Sequence, residues 1–305
     1  MEGSRYREDV LSPGAVPLAS PFLEQRTYRQ QAEFQRDFEA QWGDLDRQVR
    51  TSLRLMALNG IQDPLNDLPI AAGELQLQGT NFRESLQHGG LVSRQRAVLL
   101  LLRQLIEAGR LPLLEDLRLY CPEAITPFAQ RLRDLVPHYQ GSEYLPDPQD
   151  PRRQQLHHED LCALSFEKGR FDAVICNEIL EHVYDLPAAL RSMHRVLALG
   201  GSLLGTVPFA YGQAESTLKA VHRGREQEPE LLAEPEFHGD PVQPKQGSLV
   251  YRIPGWEFLD QLREAGFEDP RIEAIHSPTY GIVGAEIPWI LVFMAQRPQD
   301  PTPAG

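Results

Sequence analysis

The apolar positions of residues 27–56 fall on one face. Phe34, Phe38, Trp42, Leu45, Val49 and Leu53 are spaced by 4, 4, 3, 4 and 4 residues, with charged and glutamine side chains between them. That period predicts one long amphipathic helix. Its stripe must be covered, either by packing on the neighbouring part of the chain or by a second copy, a homodimer through the N-terminal helices. Residues 57–82 are rich in turn signals, including Asn59-Gly60, Asp63-Pro64 and Gly79-Thr80. A second helix is expected over 93–108, capped by Ser93 and stopped at Gly109, with the run AVLLLL deeply buried.

Past Arg110 the pattern changes to short apolar runs alternating with helical stretches. Strands are expected over 117–121, 139–145 and 171–176, with a weaker one over 155–161. Thr126-Pro127 opens a helix, threonine as N-cap and proline at the first helical position. Two helices are expected after the FDAVIC run, one reaching Leu186 and one over 187–197. Gly200-Gly201 then turns into a strand over 202–207. A helix over 255–265 and strands over 271–275 and 289–295 close the pattern. Strands alternating with helices over about 190 residues predict an α/β fold with a doubly wound, mostly parallel sheet. Such sheets bind ligands beyond the carboxyl ends of their strands. The expected organisation is a flexible arm (1–26), a helical N-terminal extension (27–110), a catalytic domain (111–297) with an insertion at about 211–252, and a flexible tail (298–305).

Composition narrows the function classes. The 305 residues carry a formal net charge of −13. Residues 1–110 account for −1 and residues 111–305 for −12, so the second part repels phosphate backbones and nucleic acid is not an expected partner. No apolar run is long enough for a membrane span, and the N-terminus lacks the apolar core of a signal peptide. Cys121, Cys162 and Cys176 form neither a disulfide framework nor a Cys-x-x-Cys pair. A reduced, cytoplasmic protein without a membrane partner is expected.

The most specific stretch runs from residue 159 to 209. It contains Asp160-Leu161, Leu164-Ser165-Phe166, Phe171-Asp172, Leu180-Glu181-His182-Val183, Arg195-Val196-Leu197, Gly200-Gly201 and Pro208-Phe209, in that order. This succession resembles the class I S-adenosylmethionine-dependent methyltransferases, in particular the small-molecule type related to quinone-biosynthesis enzymes. The resemblance extends more loosely over 111–297 and implies a Rossmann-like, seven-stranded, mostly parallel sheet. It also implies S-adenosyl-L-methionine as cofactor and a small-molecule methyl acceptor. In such a fold Asp160 would accept a hydrogen bond from the adenine amino group and Leu161 would flank the ring. Glu143 would accept the ribose hydroxyls, being acceptor-only when ionised. Asn177 would face the place where donor and acceptor meet.

The first loop departs from the family pattern. Glu123 matches the acidic position, but Ile125, Pro127 and Ala129 stand where three glycines are usual. Glu123 would still receive the cofactor's amino group, with Thr126 adding a polar contact, although the backbone path must differ. The upstream stretch with Gln87, His88, Gly89 and Gly90 has no thiolate pair, so no metal site is expected there. The Arg94-Gln95-Arg96 run is expected to dock the two parts of the chain. His182, together with His238 and Asp240 of the EPEFHGDP segment, are the candidates for acid–base work, with no metal expected. Two readings stay open: an active methyltransferase, or a methyltransferase fold kept as a non-catalytic scaffold or partner module.

Overall fold

The computed structural model describes residues 22–222 and 228–299. Seven strands form the main sheet: β1 (Glu24–Tyr28), β2 (Arg118–Cys121), β3 (His138–Gly141), β4 (Phe171–Asn177), β5 (Leu197–Thr206), β6 (Glu268–His276) and β7 (Ile290–Gln296). Their order is β1-β6-β7-β5-β4-β2-β3. The β3-β2-β4-β5 half is parallel throughout, and β7 and β1 pair antiparallel with β5 and β6. β4 is buried along nearly its whole length, which explains why FDAVICN reads as a continuous apolar run rather than an alternating one. The α/β, mostly parallel expectation holds.

Three expected elements differ. The helix over 27–56 begins with an edge strand, β1, and is then divided into α1 (Gln31–Gln41), a 3₁₀ turn (Trp42–Asp44) and α2 (Leu45–Asn59). Glycine 43 sits at the break. Its side-chain-free backbone carries the greatest entropy cost in a helix interior, and Trp42 beside it is exposed. The strand over 155–161 shrinks to one bridge between Glu143 and His158, followed by a 3₁₀ turn at Leu161–Ala163. β1 therefore supplies the seventh strand. The expected helix reaching Leu186 is only the 3₁₀ turn Leu180–His182, before the helix Leu186–Val196. Of the expected arm, residues 24–26 lie in β1, whereas 1–21 lie outside the described residues, as do 300–305 of the expected tail.

By compactness the described chain divides into two units that are not contiguous in sequence. One comprises residues 22–28, 32–107 and 272–292. Its core joins Val49, Leu53 and Met56 of α2 to Ile61, Ile70, Phe82, Leu86 and Val283. Gly60 ends α2 at φ +71, where a Cβ would stand 2.1 Å from the Ile70 carbonyl oxygen. The helix α3 (Ser93–Glu107) is buried through residues 95–102. Ser93 does not cap it as expected. Its hydroxyl bonds both the N–H and the carbonyl of Val283, while the Gln95 side chain accepts from the Val92 N–H. Arg94 pairs with Glu84, and Arg96 donates to the carbonyls of Leu86, Leu91 and Gly281. Arg96 thus ties the 27–110 extension to Gly281 of the expected 111–297 part, as the run was expected to do, and both segments belong to this one compact unit.

The other unit comprises 29–31, 108–222, 228–271 and 293–299. It contains the parallel half of the sheet, α4 (Pro127–Leu135), α5 (Leu186–Val196) and α6 (Glu257–Glu264). Both α4 and α5 carry proline near their starts, capped by Thr126 and Asp185 respectively, as residues with a side-chain acceptor and a preset φ should be. Residues 217–253 form three two-stranded ladders, pairing 217–218 with 252–253, 220–221 with 230–231, and 237–238 with 248–249.

Candidate functional site

The carboxyl ends of β2, β3 and β4 carry the acidic and amide side chains the sequence singled out, each in a local setting of its own. After β2 the chain turns through 123–126 into α4. Glu123 is buried and accepts the Thr126 hydroxyl at 2.8 Å, and Thr126 in turn accepts the Ala129 N–H. Tyr139 donates to the Glu123 carbonyl at 2.6 Å. Beyond β3, Glu143 turns its Oε1 onto the first loop, accepting the N–H groups of Ala124 at 2.7 Å and Ile125 at 3.3 Å. A loop without glycines is thus held by two carboxylates. Burial pushes the Glu143 pKa up against the pull of those two amides, and the charges of Glu123 and Asp240 push it further.

Asp160 caps the 3₁₀ turn that follows. Its Oδ1 accepts the Cys162 N–H at 2.9 Å, and its Oδ2 accepts the Tyr184 hydroxyl at 2.8 Å. Leu161 beside it is buried. Each carboxylate oxygen keeps acceptor capacity beyond the bond it makes.

Asn177 closes β4. It is 5% exposed, and neither Oδ1 nor Nδ2 has a hydrogen-bond partner. Its register partner Thr206, at the end of β5, is also buried with an unpaired hydroxyl. Buried polar groups without partners are rare, because each costs the desolvation of a donor or acceptor. Here two of them are register partners at the ends of neighbouring strands. The next residue, Glu178, has φ 51, a left-handed conformation in which a non-glycine residue is strained.

That turn leads into Leu180-Glu181-His182. Glu181 is fully buried and neither of its carboxylate oxygens has a hydrogen-bond partner. The nearest polar neighbours of Oε1 are His182 Nε2 and His238 Nδ1, each at 3.6 Å. His238 arrives from the 237–249 hairpin. Its return strand passes Gly247 at φ +72, where a Cβ would stand 2.4 Å from the His238 carbonyl oxygen, so only glycine fits the turn. The hairpin locks onto the Glu181 turn through Tyr251 N–H to the Glu181 carbonyl, 2.8 Å, and His182 Nδ1 to the Leu249 carbonyl, 2.8 Å. The two imidazole rings meet edge to face with centroids 5.0 Å apart. His238 Nε2 lies 3.0 Å from Glu236, which is also paired with Lys219. The attraction of the Glu181 carboxylate 3.6 Å away outweighs burial and, with Glu236, raises the His238 pKa to about 9, while burial raises that of Glu181.

His182 and His238, read from the sequence as separate candidates, are therefore neighbours. Asp240 is not part of their cluster. Its carboxylate accepts the Val242 and Gln243 N–H groups and the Ser248 hydroxyl, fixing the hairpin loop. An Asp-Pro step in a polar loop forms this kind of turn, so acid–base work is reassigned away from it. Sequence reading missed three residues: Glu181, Glu236 and Tyr184. Glu181 lay in plain view within Leu-Glu-His. Its meaning depends on a histidine 57 residues later, which no local pattern reveals.

Comparison with known proteins returns a family match. Residues 124–205 match the family model described as a methyltransferase domain. Comparison with curated proteins returns no match. Similar solved structures include an S-adenosylmethionine-dependent methyltransferase from Mesorhizobium loti, at 18% identity and TM-score 0.40, covering 64% of this chain and 97% of that one. A sugar N-methyltransferase from Streptoalloteichus sp. shows 19% identity and TM-score 0.41, covering 68% and 87%. A methyltransferase of Haloferax volcanii, solved in complex with a methyltransferase activator, shows 14% identity and TM-score 0.39, covering 64% and 93%. Residues 124–205 are thus similar to a methyltransferase domain, and that segment carries Glu143, Asp160, Asn177, Glu181 and His182.

Proposed function

We propose that the chain transfers the methyl group of S-adenosylmethionine to a small-molecule acceptor bound between Asn177 and the Glu181–His182–His238 cluster. The observation that carries this reading is the pair of unpaired, buried polar side chains, Asn177 and Thr206, at the carboxyl ends of β4 and β5. They fit a polar cofactor lying across the strand ends. Asp160 and Leu161 would hold the adenine, Glu143 the ribose, and Glu123 with Thr126 the amino-acid end. When bound, the cofactor supplies an electrophilic methyl group on a positively charged sulfur.

The chain's own contribution is positioning and proton removal. The Leu249 carbonyl can only accept, so His182 Nδ1 carries a hydrogen and a neutral ring keeps its lone pair on Nε2. As an acceptor hydroxyl or amine attacks the methyl carbon, that lone pair takes the proton it sheds. The acidity of residues 111–305 favours a small molecule over a polyanion as acceptor.

The bonds from Glu143 to the Ala124 and Ile125 amides favour a second reading, a scaffold whose first loop has closed on itself. Thermal unfolding with S-adenosylhomocysteine separates the two. The enzyme reading expects a concentration-dependent rise in Tm, reduced in Glu143→Ala and Asp160→Ala. A flat response at millimolar ligand supports the scaffold.

A further inference from the structure

We infer that Glu181, His182 and His238 form a binding site for a divalent transition-metal cation of the zinc class. Their three ligand atoms all lie within 4.8 Å of one another, and both ring nitrogens stand 3.6 Å from the same carboxylate oxygen. Ligands about 2.0–2.1 Å from a tetrahedral cation are separated by roughly 3.4 Å, so a small inward shift completes the coordination.

The orientation of each ring points the same way. His182 gives its Nδ1 hydrogen to the Leu249 carbonyl, and His238 turns Nε2 to the Glu236 carboxylate. Metal-binding histidines are typically anchored in this manner, through the nitrogen that does not bind the metal. In the neutral rings, the lone pairs of His182 Nε2 and His238 Nδ1 then converge on the Glu181 carboxylate. A cation that displaces the proton of His238 would meet three acceptors at one point. Independently, the Glu181 side chain is fully buried and neither carboxylate oxygen has a hydrogen-bond partner. An ion pair with His238 alone would leave the His182 lone pair aimed at a carboxylate oxygen for no return.

Two imidazoles and one carboxylate suit zinc and its first-row neighbours, whereas magnesium and calcium prefer all-oxygen sites. Three protein ligands leave a coordination position open. Both histidine side chains are partly exposed, 15% and 32%, so that position faces solvent. There the cation would bind an acceptor hydroxyl and lower its pKa, and the proton would leave to solvent. In that case His182 acts as a ligand rather than as a proton acceptor. This role rests on the methyl-transfer reading; the metal site itself does not.

The test is calorimetric titration of the chelator-stripped full chain with zinc alone, repeated with cobalt to record its visible d–d absorption. One equivalent per chain is expected. Affinity should fall at least about 100-fold in Glu181→Gln, His182→Asn and His238→Asn, and about 10–100-fold in Glu236→Gln. His88→Asn, beside Glu74 in the other unit, should leave it unchanged. No uptake at millimolar zinc overturns the site, as does equal affinity across the three ligand variants. The Tm response to S-adenosylhomocysteine, measured on the same preparation, keeps the two claims apart. A response without zinc uptake overturns the metal site and leaves the methyltransferase reading standing; zinc uptake without a response supports the site and overturns that reading.

Discussion

Arg96 and Glu181 are both charged and both buried, one in each compact unit, yet the structure treats them in opposite ways. Arg96 is 1% exposed and spends its guanidinium on four hydrogen bonds to three backbone carbonyls. Burial lowers its pKa to about 9, which leaves it charged at neutral pH. Its five donors in a planar fork suit this task, tying Leu86 and Leu91 to the Gly281 turn. Glu181 is equally buried and makes no side-chain hydrogen bond. A buried charge that is satisfied builds structure; one left unsatisfied is held for a ligand.

The largest expected effect lies on the satisfied side. Arg96→Met would leave three carbonyls without a donor, at a cost of about 3–5 kcal/mol in unfolding free energy, measurable by denaturant titration. A cost below about 1 kcal/mol would break the comparison. Ser93→Ala, which strands both backbone groups of Val283, should cost about 1–2 kcal/mol. Glu181→Gln should behave in the opposite sense. Removing a desolvated charge leaves the metal-free protein as stable as before, or more stable by about 1 kcal/mol. A loss as large as that of Arg96→Met would make Glu181 a structural residue.

These contrasts bear on what a sequence discloses. The parallel core was legible because FDAVICN and the Thr126-Pro127 start are local signals for local structure; Gly200-Gly201, expected as a turn, instead lies inside β5 at a shift in its register with β4. β1 was not legible. EQRTY is short and polar, and it becomes a strand only by pairing with a segment about 250 residues away. Of the helix face from Phe34 to Leu53, Phe34, Leu45, Val49 and Leu53 are buried as expected, but Trp42 is exposed beside Gly43, at the break that periodicity passes over. Glu123, Glu143, Asp160 and Asn177 were picked out through the resemblance to the methyltransferase pattern, and all but Asp160 lie at or just past strand ends. Their partners were not: Tyr184 on Asp160, and the first-loop amides on Glu143, are tertiary contacts. His238, flagged for acid–base work, lies beside His182 and Glu181, whereas Asp240 two residues on accepts hydrogen bonds within its loop.

The smallest effect concerns pH. Burial places the folded pKa of Glu143 above its unfolded value of about 4.3. Folding therefore favours its neutral form. That contribution is complete below the unfolded pKa and is lost as pH rises through the folded one. Glu143→Gln should flatten this fall of stability across the weakly acidic range, followed as Tm against pH. An unchanged slope would show that the loop amides offset the burial.

The most direct test of the central claim is calorimetric binding of S-adenosylhomocysteine to the full chain, beside Asp160→Ala and Asn177→Ala. The account predicts one site per chain, weakened at least about tenfold by each substitution, as the loss of a hydrogen bond to a buried polar ligand should give. Absence of heat at millimolar ligand, or equal affinity in all three proteins, would contradict it.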